Sequence, residues 1–173
     1  MKSFVIFFFF GLAVLVSQTA ILAGLPYAEY LDLVNIFVIY LGFSQTYLPG
    51  LLISVLMGFL VDMLSGEFLG LYMTIYYVVF IITYQIWIHF NIRMAFYQAF
   101  IVFISSIVKG FVLLGGLVVF TSDSIQVLPF LKFSFVQAVT GALASPIIFY
   151  FFAKFDQYQR RLLQKTPHAE QSG

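Results

Sequence analysis

Between Phe4 and Phe152 the chain is a succession of apolar stretches broken only by short polar interruptions. A helix needs roughly 20 apolar residues to cross a hydrocarbon layer of about 30 Å. Six candidate segments follow: Phe4 to Gly24, Leu31 to Phe43 or a little beyond, Leu48 to Leu64, Leu69 to Ile88, Ala95 to Phe120 and Leu128 to Phe152. The second and third are short. Pro49 suits the opening of a third helix, where its missing N–H costs little. The pair therefore reads as two spans, the other reading being one broken element that dips into the membrane and returns. The expected fold class is an all-α membrane protein, a compact bundle of about six transmembrane helices over residues 1–153. A basic cytoplasmic tail over 154–173 is expected to lack order from Thr166 onward.

Composition agrees. Charged residues make up 9% of the chain and hydrophobic ones 62%, where a soluble domain carries roughly 25% charge to hydrate its surface. No buried core absorbs that deficit, so the outer surface itself is apolar and its solvent is lipid. The 23 Phe and 11 Tyr suit acyl chains and the bilayer interface. A net charge of +1 gives no basis for nucleic-acid binding. With no Cys there are no disulfides, and two His leave little material for a transition metal. No cofactor is expected. Lys2 before an apolar run also fits a secretory signal, but the run is longer than the usual signal core and no small-x-small cleavage site follows it. It is read as a retained helix.

Orientation follows from Lys and Arg. Six spans place Lys2, Arg93, Lys154, Arg160, Arg161 and Lys165 on one side, and Glu29, Asp32, Asp62, Glu67, Asp123 and one base, Lys132, on the other. Both termini are then cytoplasmic. The basic residues after Lys154 face anionic headgroups, or simply form a solvated stop after the last helix.

Gly50, Ser54, Gly58 and Asp62 lie four apart and share one face of the third helix. Lipid does not drive apolar helices together, so small residues that admit a second backbone carry close packing. Internal packing is the favoured role of this ridge, a partner site the alternative. Asp62 ends the apolar run and is followed by Ser65-Gly66, a turn signal, and by Gly70, which opens the next helix. An ionisable residue just inside a span is a functional candidate by default; the competing role is to bond backbone N–H groups and shape the turn.

Lys109 lies near the middle of the fifth segment, where a lysine costs roughly 2.5–3.5 kcal/mol to insert. It must face protein or a cavity. The first of its three candidate roles is a structural ion pair, with Asp62 the expected partner and Asp32 or Asp123 behind it. The second is an anchor for an anionic ligand, and the third a Ser–Lys catalytic pair with Ser105 or Ser106. Catalysis ranks last, since no nucleophile elbow, metal ligands or convincing base accompany it; no catalytic residue is assigned. Asp32 and Asn35, one turn apart, could cap the second helix or bond to the loop after the third. Trp87 reads as an interfacial anchor, and His89 as a polar residue at headgroup level.

The run from Gly58 to Leu71, with Gly58-x-x-x-Asp62, then Ser65-Gly66, then Leu69-Gly70-Leu71, resembles the hallmark of the MreD family of rod shape-determining membrane proteins. Leu31-Asp32-Leu33 stands where that family usually has Pro-Asp-Leu, a departure at the proline. Ala144-Ser145-Pro146 and the basic end are also similar to the family's C-terminal part. The resemblance implies a non-enzymatic scaffold in the bacterial inner membrane. Its implied partners are MreC first, then MreB, RodA and a penicillin-binding transpeptidase. MreD proteins resemble, distantly, the substrate-binding subunits of energy-coupling-factor vitamin transporters, which supplies the same compact bundle and the rival function.

Overall fold

The computed structural model describes residues 2–21, 30–66, 70–90, 95–120 and 127–164. These form six helices: α1 (Lys2–Val16), continued by a π-helical turn (Ser17–Ile21), α2 (Leu33–Ser44), α3 (Tyr47–Ser65), α4 (Leu71–Phe90), α5 (Ala95–Phe120) and α6 (Val127–Gln164). The chain is an all-α membrane bundle. Four helices, α3 to α6, are long and apolar enough to cross a membrane, and α1 and α2 are shorter apolar helices. The expected residues 22–24, Glu29, Glu67, Leu69, Arg93, Asp123, Lys165 and the tail from Thr166 lie outside the described residues.

Solvation is reversed relative to a water-soluble bundle. Phe96, Leu143 and Phe151 point outward at 77%, 75% and 64% exposure, while Asp32, Asn35, Ser54, Asp62 and Lys109 are buried. Apolar atoms on the outside cost nothing in lipid, whereas each polar group must find a partner within the protein.

The second segment departs from expectation. α2 has 12 residues, about 18 Å of helix, too short to span alone. From Val34 to Gly42 every residue is buried, which is the pattern of a helix enclosed on all sides. Phe37 meets Phe10 of α1 and Phe152 of α6, and Phe43 meets Trp87 of α4. On α4, Thr83 comes so close to Gly42 that a Cβ there would lie 2.8 Å from its Cγ2. α2 is thus a central pillar with the other helices around it. The third segment is a full-length helix, with Pro49 in its first turn where no intrahelical N–H is needed.

Two irregularities have local causes. At the end of α1, Ser17 Oγ donates to Ala13 O, and Thr19 Oγ1 to Leu15 O and Val16 O. These hydroxyls compete for the carbonyls of the helical ladder and accompany its widening to a π turn. In α6, Pro146 removes the N–H that would serve Ala142 O; Ser145 Oγ donates to that carbonyl at 2.8 Å instead. The helix runs on to Gln164, about three turns past Phe152. The hydrophilic segment expected from Lys154 therefore begins as helix. Phe10 stacks on Phe155 and meets Phe152 edge-on, so α1 packs on the C-terminal part of α6, while Thr140 bonds to Tyr30 O.

The Gly50, Ser54, Gly58 ridge packs against α4. A Cβ on Gly58 would sit 2.5 Å from Met73 Cα, and one on Gly50 would sit 2.6 Å from a Phe80 ring carbon. Ser54 Oγ donates back to Gly50 O at 2.8 Å, hiding its polarity. Because the obstacle at Gly58 is backbone, Gly58→Ala forces the helices apart and costs about 1–3 kcal/mol. Gly115, with open space beside it, accepts alanine with no loss, or a gain of up to about 1 kcal/mol. Thermal unfolding midpoints in mild detergent separate the two variants; equal midpoints would contradict the packing described.

Candidate functional site

Two buried polar clusters lie inside this apolar fold, each built around a carboxylate at the start of a helix. The first is Asp62. α3 ends in the left-handed residue Gly66 (φ 66°), a geometry glycine adopts without strain. The chain enters α4 through Gly70, also at positive φ (99°). A glycine at that entry has no side chain to cap the helix behind it. Asp62, one helix earlier, does so: its carboxylate accepts from Gly70 N at 2.9 Å, Tyr72 N at 2.8 Å and Met73 N at 3.1 Å. Three N–H donors and the positive end of the α4 dipole stabilise the negative charge. Ser65 Oγ donates to Asp62 O, and Thr74 Oγ1 to Gly70 O. The sequence left Asp62 between a functional role and a turn-shaping one; the geometry gives it the second, through the backbone of α4.

The second cluster is Lys109. Its ammonium, buried on α5, pairs with Asp32. The expectation that Asp62 is the partner is overturned, because both Asp62 oxygens are engaged at the α4 N-terminus. Asp32 is the N-cap of α2 and accepts from Asn35 N at 3.0 Å. Gln18, from the widened end of α1, accepts from Val34 N at 3.0 Å. The first turn of α2 thus starts inside the bundle with its donors supplied by protein. Asn35 also differs from expectation. Its Nδ2 donates to Ser105 Oγ and Ser106 Oγ, each at 3.2 Å, on α5, with no bond to the loop after α3 among the described residues. Its buried Oδ1 has no partner there.

The Ser–Lys pair is not assembled among the described residues. Ser105 Oγ donates to Val102 O at 3.1 Å and accepts from Asn35, while Lys109 is held by Asp32. Nor does any group of three His, Cys, Asp or Glu side chains converge among the described residues. At the opposite end of the bundle, His89 Nδ1 bonds to Gln85 O at 2.8 Å within its own helix.

A cavity of about 200 Å³ adjoins Lys109, with Tyr72 of α4, Gly110 of α5, and Ser134 and Gln137 of α6 also in its wall. Sequence reasoning missed Gln18, Ser134, Gln137 and Thr140. Ser134, Gln137 and Thr140 recur every three residues on α6 and Gln18 lies in the polar end of α1, and no charge or motif marks them. Comparison of the chain with family models, curated proteins and solved structures finds no match in any of the three.

Two outcomes follow. Asp62→Ala leaves three N–H donors at the α4 entry without an acceptor, at roughly 1–3 kcal/mol each. Hydrogen exchange at Gly70, Tyr72 and Met73 should speed up far more than at mid-α4 amides. Lys109→Met strands the Asp32 charge and costs roughly 3–5 kcal/mol. Asp32→Asn retains a capping side chain, so the Lys109→Met, Asp32→Asn double variant recovers most of the loss, whereas pairing Lys109→Met with Asp62→Asn recovers none. A double-mutant cycle on unfolding midpoints measures this coupling.

Proposed function

We propose that this chain is a non-enzymatic membrane scaffold of the MreD kind. In this reading it sits in the bacterial inner membrane with both termini cytoplasmic. There it binds MreC and couples MreB filaments to peptidoglycan synthesis by RodA and a penicillin-binding transpeptidase. One observation carries the reading: in the run from Gly58 to Leu71, the residues that make up the resemblance are the ones with defined structural work. Gly58 admits the α4 backbone, Asp62 caps α4, Gly66 ends α3 and Gly70 opens α4. The resemblance thus coincides with contacts between the end of α3 and the start of α4 rather than with scattered apolar identities.

Because the small-residue ridge is occupied by α4, the scaffold reading moves the partner surface to the other face of α3. Leu48, Leu52, Leu56, Phe59 and Met63 are exposed there at spacings of three and four, the seam a single partner helix packs along. A substrate-binding transporter subunit is the second reading, and the cavity beside Lys109 is the observation in its favour.

Affinity purification of the tagged protein from mild detergent, with partners identified by mass spectrometry, tests both. Recovery of MreC with RodA or a transpeptidase is the expected result, and a photoreactive residue at Phe59 should crosslink to MreC more strongly than one at Phe151. Recovery of a pair of transporter ATPases instead overturns the scaffold.

A further inference from the structure

Two hollows meet at one contact in the α5–α6 hairpin. The larger, a groove of about 600 Å³, is walled by Ile107, Phe111, Leu131, Phe135 and Val136, with Lys132 also on its lining. Phe111 and Phe135 are exposed, so this groove faces the lipid. The smaller is the 200 Å³ cavity that holds Lys109. Gly110 and Ser134 line both hollows. They touch each other so closely that a Cβ on Gly110 would fall 2.8 Å from Ser134 Oγ. An apolar slot open to acyl chains and a polar chamber thus share one thin wall.

The polar chamber has hydrogen-bonding capacity to spare. Lys109 has three N–H donors, and the described residues give its ammonium one acceptor, Asp32. Asp32 in turn also accepts from the N-terminus of α2, whose partial positive charge offsets part of the carboxylate. The lysine is therefore incompletely neutralised. Ser134 is buried, and its hydroxyl makes no hydrogen bond to another described residue. Lys132 adds a second positive charge, and among the described residues no acidic side chain lines either hollow. Tyr72 is the second residue of α4 and Lys132 lies in the second turn of α6, so both hollows reach toward the same end of the bundle.

We infer that the α5–α6 hairpin binds an anionic phospholipid, with one acyl chain in the groove and a headgroup oxygen accepting from Lys109 and Ser134. Buried donors serve the phosphate oxygens, Lys132 balances the charge, and the aromatic walls take the chain. The assignment is independent of the scaffold reading, because it uses none of the residues from Gly58 to Leu71.

The test uses full-length protein stripped of lipid in a neutral detergent. It is then titrated with phosphatidylglycerol, with phosphatidylcholine of the same chains, and with inorganic phosphate, and followed by native mass spectrometry and thermal shift. Phosphatidylglycerol should be retained at least tenfold over phosphatidylcholine, and inorganic phosphate should produce no shift. Lys132→Gln, a surface change that leaves the fold intact, should reduce the preference about threefold. The Lys109→Met, Asp32→Asn double variant, in which no charge is left unpaired, should abolish it. Equal retention of both lipids overturns the proposal, as does a preference that survives both variants. A shift with inorganic phosphate equal to that with phosphatidylglycerol makes the site one for a soluble anion and excludes the lipid.

Discussion

A helix N-terminus buried inside a protein has no water to take its first N–H groups, and this bundle contains two such termini, each given an aspartate acceptor. Asp62 serves α4 from the preceding helix, and Asp32 serves α2 from its own N-cap. Their remaining partners differ in a way that charge balance explains. Asp62 has three N–H donors and the α4 dipole, and no cation is recorded beside it among the described residues. Asp32 accepts one N–H and has Lys109. The lysine that looks anomalous in the middle of an apolar span is what allows α2 to begin on a buried carboxylate. From this follow the enclosure of α2, the route of α1 past it, and the polar chamber beside α5.

The long helices were legible because lipid demands long apolar runs: α5 falls where the hydropathy places it, and α3, α4 and α6 are close. The second segment was placed correctly and seen to be short, and its reading as a span has a physical reason. A helix enclosed by protein and one enclosed by lipid are both apolar all round, so composition does not distinguish them; length does, and α2 is short. The end of α6 was placed at the loss of hydropathy after Phe152, yet helix formation does not require an apolar sequence, and it continues to Gln164.

At the candidate site, the residue types were legible and the pairings were not. Asp32, Asn35, Asp62 and Lys109 stand out because each is costly in a membrane. Which acid meets Lys109 depends on how α2 and α5 cross, a relation between residues 77 apart in the chain. The Gly50, Ser54, Gly58 ridge was favoured as internal packing, and its contacts with Phe80 and Met73 agree. Spacing alone gives the face but leaves open which neighbour it receives. The Gly58 to Leu71 run was the most informative stretch because its contacts are local: hairpin geometry, positive-φ glycines and capping lie within fifteen residues and need no knowledge of the remaining fold.

The Asp32–Lys109 link also constrains how the protein is made. Left alone in a bilayer, an aspartate or a lysine costs roughly 2.5–3.5 kcal/mol, and α2 is too short to hold itself across. Yet Asp32 is synthesised 77 residues ahead of Lys109. At 5–20 residues per second that interval is roughly 4–15 s. During it α2 has no stable home in lipid, so it stays at the interface or beside the insertion machinery until α5 arrives. The pair that holds the start of the central helix therefore cannot form until the fifth helix has been made.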